Sequence, residues 1–194
     1  MISSTIAMAQ NLTFDSAVMS LYFGVSIFNA SSAIVDSLEK IDHLSSNDTI
    51  IGQWGVNNII AGNQERQFSH RFSFTKSPIN GLKIKSGEII VRLAQAGKVK
   101  KLITADWHVT FDNQVDGEAY YHKLIEIFSP LSTMQKTEFN DFIGHIAQYS
   151  TRNENEKGIR DITIMFGKSP MTNEPQIILS LSNEFKFNDN NNFE

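Results

Sequence analysis

Cysteine is missing altogether from this 194-residue chain. It therefore has no disulfide framework, Cys-ligated zinc, iron–sulfur cluster or thiol nucleophile. Proline is scarce, at four residues, so few positions are barred from helix or strand interiors. Catalytic signatures are missing as well. There is no P-loop, dinucleotide fingerprint, G-x-S-x-G or H-E-x-x-H, and Gly52 and Gly55 lack the spacing of a nucleotide loop. RNP1, KH and helix-turn-helix signatures are also absent. What is present is the composition of a globular domain, 41% hydrophobic and 20% charged, with a net charge of -4. The 17 Asn and 31 Ser or Thr predict about three N-x-S/T sequons by chance. Three occur, at Asn11, Asn29 and Asn47, so glycosylation gains no support.

The longest uncharged stretch runs from Ser16 to Val35, between Asp15 and Asp36. It has the length of a bilayer span, but Ser16, Ser20, Ser26, Asn29, Ser31 and Ser32 make such a span costly. A buried helix is the better reading. Phe14, Ala17, Val18, Leu21, Tyr22, Val25 and Phe28 form one stripe, and Met19, Phe23 and Ile27 cover its back. A helix apolar all round must be covered by a sheet, by helices or by another subunit, which makes Phe23 and Ile27 candidate partner-binding residues. A second amphipathic stretch runs through Ile34, Leu38, Ile41 and Leu44. Ala7-x-Ala9 looks like a signal-peptidase site, yet no basic or apolar region precedes it. A cytoplasmic location is the expectation, with a secreted or periplasmic one the alternative.

From Thr49 the hydrophobic period changes from helical to alternating. Thr49–Val56 reads as a strand or short irregular element. Gln67–Thr75 alternates, with Phe68, His70, Phe72 and Phe74 on one face. Ser77–Gly81 is a turn by its Pro and Asn-Gly chemistry. Leu82–Lys85 and Glu88–Ala94 read as short strands, and Ala96–Lys98 as a hairpin turn. Lys100–Asp112 is the clearest strand, with Ile103, Ala105, Trp107, Val109 and Phe111 inward. Thr104, Asp106, His108, Thr110 and Asp112 face outward, as in an antiparallel sheet with one covered face. Asp116 opens a helix with Tyr120, Leu124, Ile127 and Phe128 as its stripe, ended by Ser129-Pro130. Ser132-x-x-Gln135 reads as a capping box for another helix, burying Phe139, Phe142, Ile143, Ile146 and Tyr149. Thr151–Gly158 is a loop. Ile159–Gly167 and Gln176–Phe187 are strands.

The net charge conceals a strong partition. Residues 1–62 carry -4, residues 63–101 carry +7 and residues 102–194 carry -7. A basic sheet with interleaved aromatics suits single-stranded nucleic acid or an acidic protein partner. Pairing with acidic elements of the same fold is the plain alternative.

Three constellations bear on chemistry. Asp106 and His108, at i and i+2 on one strand face, lie close enough for a carboxylate to orient an imidazole. Glu118, His122 and Glu126, with Glu138, Asp141 and His145, would resemble a carboxylate–histidine metal site if two helices packed together. Those faces lie opposite the apolar stripes, so a solvated surface is expected there and no metal. Gly52-Gln53-Trp54 resembles the lipocalin G-x-W signature, but the intervening helices break the run of strands that a closed barrel requires.

The expected fold is α+β. N-terminal helices precede an antiparallel sheet of about five to six strands covered on one face by helices. A helical hairpin is inserted before the last two strands. Residues 1–187 form a single domain on this reading, with helical 1–45, β-rich 49–112, the helical hairpin 116–150 and the hairpin 159–187; a polar tail, 188–194, follows. The function expected is a soluble, non-enzymatic protein-binding or assembly module without a cofactor. It engages a protein partner, or a second copy, through Phe23 and Ile27 or through Arg66, Arg71, Lys83 and Lys85. A ligand binder or enzyme with Asp106 and His108 as catalytic groups is the alternative. Single-stranded nucleic-acid binding by residues 63–101 is the second.

Overall fold

A computed structural model describes residues 13–27, 33–52, 66–96, 99–132, 137–141, 144–153 and 158–183. The Ala7/Ala9 motif, the sequons at Asn11 and Asn29, Gln53-Trp54, the turn residues Gly97 and Lys98, and the tail 188–194 lie outside them.

Eight strands form one antiparallel sheet. They are β1 (Ser45–Gly52), β2 (Arg66–Phe74), β3 (Ser86–Ala96), β4 (Val99–Thr110), β5 (Thr137–Asp141), β6 (Gly144–Asn153), β7 (Gly158–Lys168) and β8 (Pro175–Asn183). Their spatial order is β1-β2-β3-β4-β8-β7-β6-β5. Among the described residues β1 and β5 are its edges and do not pair with each other, so the described strands do not close as a lipocalin barrel does. Three helices complete the described elements: α1 (Phe14–Leu21), α2 (Ala33–Leu38) and α3 (Gln114–Phe128), the last followed by a 3-10 turn at Ser129–Leu131. None of them is long and apolar enough to cross a membrane.

The strand order reads the same from both ends. Each half is a helical segment followed by four consecutive antiparallel strands, and the halves join through antiparallel pairing of β4 with β8. At the centre of this seam Trp107 pairs with Leu179. Ile89 lies beside Trp107 and Ile164 beside Leu179, so both halves place an isoleucine at the corresponding inward position.

Burial follows strand alternation. Ala105, Trp107 and Val109 of β4, with Ile177, Leu179 and Leu181 of β8, are buried on one face. The helices pack on that face. Trp107 stacks on Phe74 at 6.0 Å and lies 5.7 Å from Tyr120 of α3, between centroids. Its indole N–H finds no acceptor among the described residues, so packing rather than hydrogen bonding holds the ring. Tyr22 Oη donates to the Ala105 carbonyl at 2.7 Å, tying the N-terminal segment to β4. Burial pushes the Tyr22 hydroxyl's pKa well above its ordinary value, so this donor keeps its proton. Gly117 brings α3 against β7, where a Cβ would stand 2.7 Å from the Phe166 ring.

Several sequence expectations are corrected here. The long apolar helix expected from Phe14 to Phe28 is a helix of eight residues, Phe14–Leu21, and Phe28 lies outside the described residues. Thr13 and Ser16 form its capping box. It stops because Phe23 and Gly24 take positive φ, 55° and 86°. That conformation costs a non-glycine residue roughly 1–2 kcal/mol. Packing of the Phe23 ring on Phe74 at 5.2 Å and on His43 at 4.7 Å offsets it. The first strand begins at Ser45, inside the segment expected to be helical. Leu82–Lys85 is not a strand; residues 75–85 are an irregular connection. Strand β6 runs on to Asn153 and β7 starts at Gly158, which narrows the expected loop. The described residues form eight strands, not five or six.

The largest correction is the helical hairpin. Among the described residues of 116–150 the one α-helix is α3, and Thr137–Asp141 pairs with Gly144–Gln148 as antiparallel strands, in register from Thr137↔Gln148 to Asp141↔Gly144; Thr133–Gln135, Phe142 and Ile143 lie outside the described residues. Gly144 decides it. Its φ is 129°, and a Cβ there would lie 2.0 Å from the Phe166 carbonyl oxygen. Ala147 and Tyr149 then face the core at strand spacing. Gly144→Ala is therefore expected to destabilise the protein by about 2 kcal/mol or more in urea unfolding. In the helical alternative the same change adds roughly 1 kcal/mol of stability, so a more stable variant contradicts the hairpin.

Candidate functional site

Side chains on the other sheet face follow from register. One row runs Ser73, Glu88, His108, Ile178, Met165 and Ile146 across β2, β3, β4, β8, β7 and β6. The next runs Arg71, Ile90, Asp106, Ser180, Thr163 and Gln148. Exposure on this face is uneven: the Arg71, Glu88 and Arg92 side chains are partly exposed, whereas Ile90, Asp106 and Ile146 are buried. The left half of the face, β2 to β4, is ionic, and its right half, β8 to β6, carries an apolar strip.

The ionic half is tightly knit. Arg71 Nη1 reaches both carboxylate oxygens of Glu88, at 3.1 and 3.3 Å. Arg92 pairs with Asp106 and donates to Thr104 Oγ1 at 3.1 Å. Ser180 Oγ donates to the other Asp106 oxygen at 2.5 Å. Asp106 is the one buried charged residue in the described set, 6% exposed. A carboxylate removed from water needs such partners. Ile90, 4% exposed, lies in register between Arg71 and Asp106 and is not part of the core on the helix side. Further along, Ser150 Oγ bonds to Asp161.

Asp106 and His108 share this face, as the alternation requires. However, both Asp106 oxygens are taken by Arg92 and Ser180, and no hydrogen bond joins the carboxylate to the imidazole. Desolvation holds the His108 pKa below its ordinary 6.5; Asp106 and Glu88 pull it upward, while Arg92 and Arg71 add to the lowering.

Comparison with known protein families, curated proteins and solved structures finds no match.

The remaining candidate residues separate. Ile27 is 1% exposed and part of the core; Phe23 is half-buried against Phe74 and His43. Both serve the packing of this chain. Arg66 opens β2, but its side chain lies outside the described ones. Arg71 is paired with Glu88, and Lys85 with Glu174, 89 residues away. Lys83 is exposed and makes no ion pair with a described residue. Arg71, Lys85 and Arg92 thus meet acidic partners from this same chain. Glu118, His122 and Glu126 lie on the exposed side of α3, where Glu126 pairs with Lys123 at 2.9 Å. Glu138 and Asp141 belong to β5 and His145 to β6, so no two helices bring the triplets together. No cluster of metal-ligating side chains occurs among the described residues.

Sequence reasoning missed Ile178, Met165 and Glu174. An apolar residue at a wet position of an alternating strand was the available signal for Ile178.

The His108 geometry sets a pH dependence. A folded-state pKa below 6.5 means that unfolding takes up a proton, so stability falls as pH drops through about 6.5 and levels off below the folded value. Urea melts from roughly pH 7.5 to 5 are expected to lose part of that slope in His108→Gln. An identical slope in both proteins contradicts the assignment.

Proposed function

We propose that the protein is a non-enzymatic binding module that engages a protein partner through the open face of its sheet. The observation that carries this reading is the cross-strand strip of Ile178, Met165 and Ile146 adjoining the Arg71–Glu88 and Arg92–Asp106 pairs. Protein interfaces combine an apolar centre with a polar rim, and favour Met and Arg over Lys and Glu. Ile178 and Met165 are partly exposed and Ile146 is buried; the Arg92 and Arg71 side chains, two and three strands from Ile178 on the same face, are 39% and 40% exposed. The partner chemistry that fits is a protein surface with an apolar patch flanked by both charge signs.

The mixed charge weighs against nucleic acid as the ligand of this face. Glu88, Asp106 and Asp161 lie among the cations, and phosphates would meet them. Acid–base catalysis by Asp106 and His108 has less support than binding, because the carboxylate is held by Arg92 and Ser180 rather than by the imidazole.

A photo-crosslinking amino acid at Met165 or Ile178, introduced in the source cells, is expected to trap one protein species reproducibly. Arg92→Glu should reduce that adduct by about tenfold. A crosslinker at the exposed Val115 of α3 is the control. Equal yields of the same adducts from Val115 and from the strip defeat the proposal. A dominant adduct of the chain with itself identifies the partner as a second copy.

A further inference from the structure

A cleft of about 330 Å³ lies away from the open sheet face. Its walls are the connection between β2 and β3, the junction of β4 with α3, and the first turn of α3. Leu82, Ile84 and Phe111 supply apolar lining, and Lys76, Lys83, Asp112 and Asp116 supply two charges of each sign. The size is at the low end of small-molecule sites, which combine apolar walls with a few convergent polar groups.

The state of these charged groups is informative. The ion pairs of the described residues include none of the four. Lys85, nearby, is held by Glu174 and also feels the charge of Asp112. Asp116 accepts one hydrogen bond from Asn113 Nδ2 at 2.8 Å through a single oxygen. The Asp116 amide is capped by Asn113 Oδ1 at 2.9 Å, so that N–H is already engaged. Ser77 is likewise engaged, with Ile79 and with Tyr120 Oη at 3.0 Å. The cleft thus presents two ammonium groups and two carboxylates, in a half-apolar recess.

The geometry points to this cleft as a binding site for a small zwitterion with an apolar side chain, in the size range from a free amino acid to a dipeptide. Lys76 and Lys83 receive its carboxylate, Asp112 and Asp116 its ammonium, and Leu82, Ile84 and Phe111 its side chain. Each charged group of the ligand gains a charge-assisted hydrogen bond. A purely anionic or cationic ligand leaves one of the two sets facing a like charge or none.

The test uses the full chain with isotope-labelled methyl groups and the dipeptide Leu-Leu as probe. Saturable shifts of the Leu82 and Ile84 methyls are expected, with a Kd of roughly 1 mM or tighter. N-acetyl-Leu-Leu and Leu-Leu amide, each lacking one charge, should bind about tenfold more weakly. In the double variant Lys76→Ala, Lys83→Ala, both lysines being exposed, the acid and the amide should bind alike. No saturable shift up to about 10 mM overturns the proposal, and so does equal binding of the three probes by the unaltered protein.

Discussion

The pairing of β4 with β8 is the constraint on which the rest of this structure depends. Residues 104–110 meet residues 176–182 in reverse order. Without that seam, the two runs of four strands are separate sheets, each with an unpaired inner edge. The seam also sets the facing of every strand, because side chains alternate and a one-residue slip would reverse them. Trp107 fixes the register. It is fully buried between Phe74 and Tyr120, and so gathers β2, β4 and α3 around the middle of the sheet. Truncating a buried Trp costs about 3–5 kcal/mol, a large share of what a domain of this size has in reserve.

The alternation of β4 could be read directly because nothing competed with period two between Thr104 and Phe111. The same holds for Ile177, Leu179 and Leu181 in β8. The region 132–149 was misread for a physical reason. Phe139, Phe142, Ile143 and Ile146 fall at helical spacing, while the pairing that puts Phe139 and Ile146 in strands depends on one glycine, Gly144, and on a neighbouring strand that local sequence does not reveal. The N-terminal stretch failed similarly. Its main stripe was rightly placed inside, since Ala17, Val18, Leu21, Tyr22 and Val25 are buried, whereas Ile27, read as partner-binding, is buried in the same core. But Phe23-Gly24 breaks the helix, and only tertiary packing on Phe74 makes a left-handed Phe tolerable.

The candidate surface was the least legible part. The basic block at 63–101 is plain in the sequence, and its partners are not. Arg71, Arg92 and Lys85 are neutralised by Glu88, Asp106 and Glu174, at separations of 17, 14 and 89 residues. Sheet register decides the first two pairings, and the third joins the connections that precede β3 and β8. So the feature that most resembled a nucleic-acid platform is for these three cations an internal balance. The apolar strip opposite was invisible for the converse reason: Ile146, Met165 and Ile178 come from three strands and meet only when β6, β7 and β8 are aligned. One face of the sheet is consumed by the core. The other is the face on which the proposed partner would dock.

Amide hydrogen exchange on the free protein tests this account most directly. If the β4–β8 seam joins the two halves, the amides of 104–110 and 176–182 that bond across it are the slowest in the molecule. They also open together, with one free energy equal to that of global unfolding. If instead the strands before residue 112 and those after residue 137 open with separate free energies, and the seam amides exchange as fast as those of β1 or β5, the seam is not what holds the sheet together.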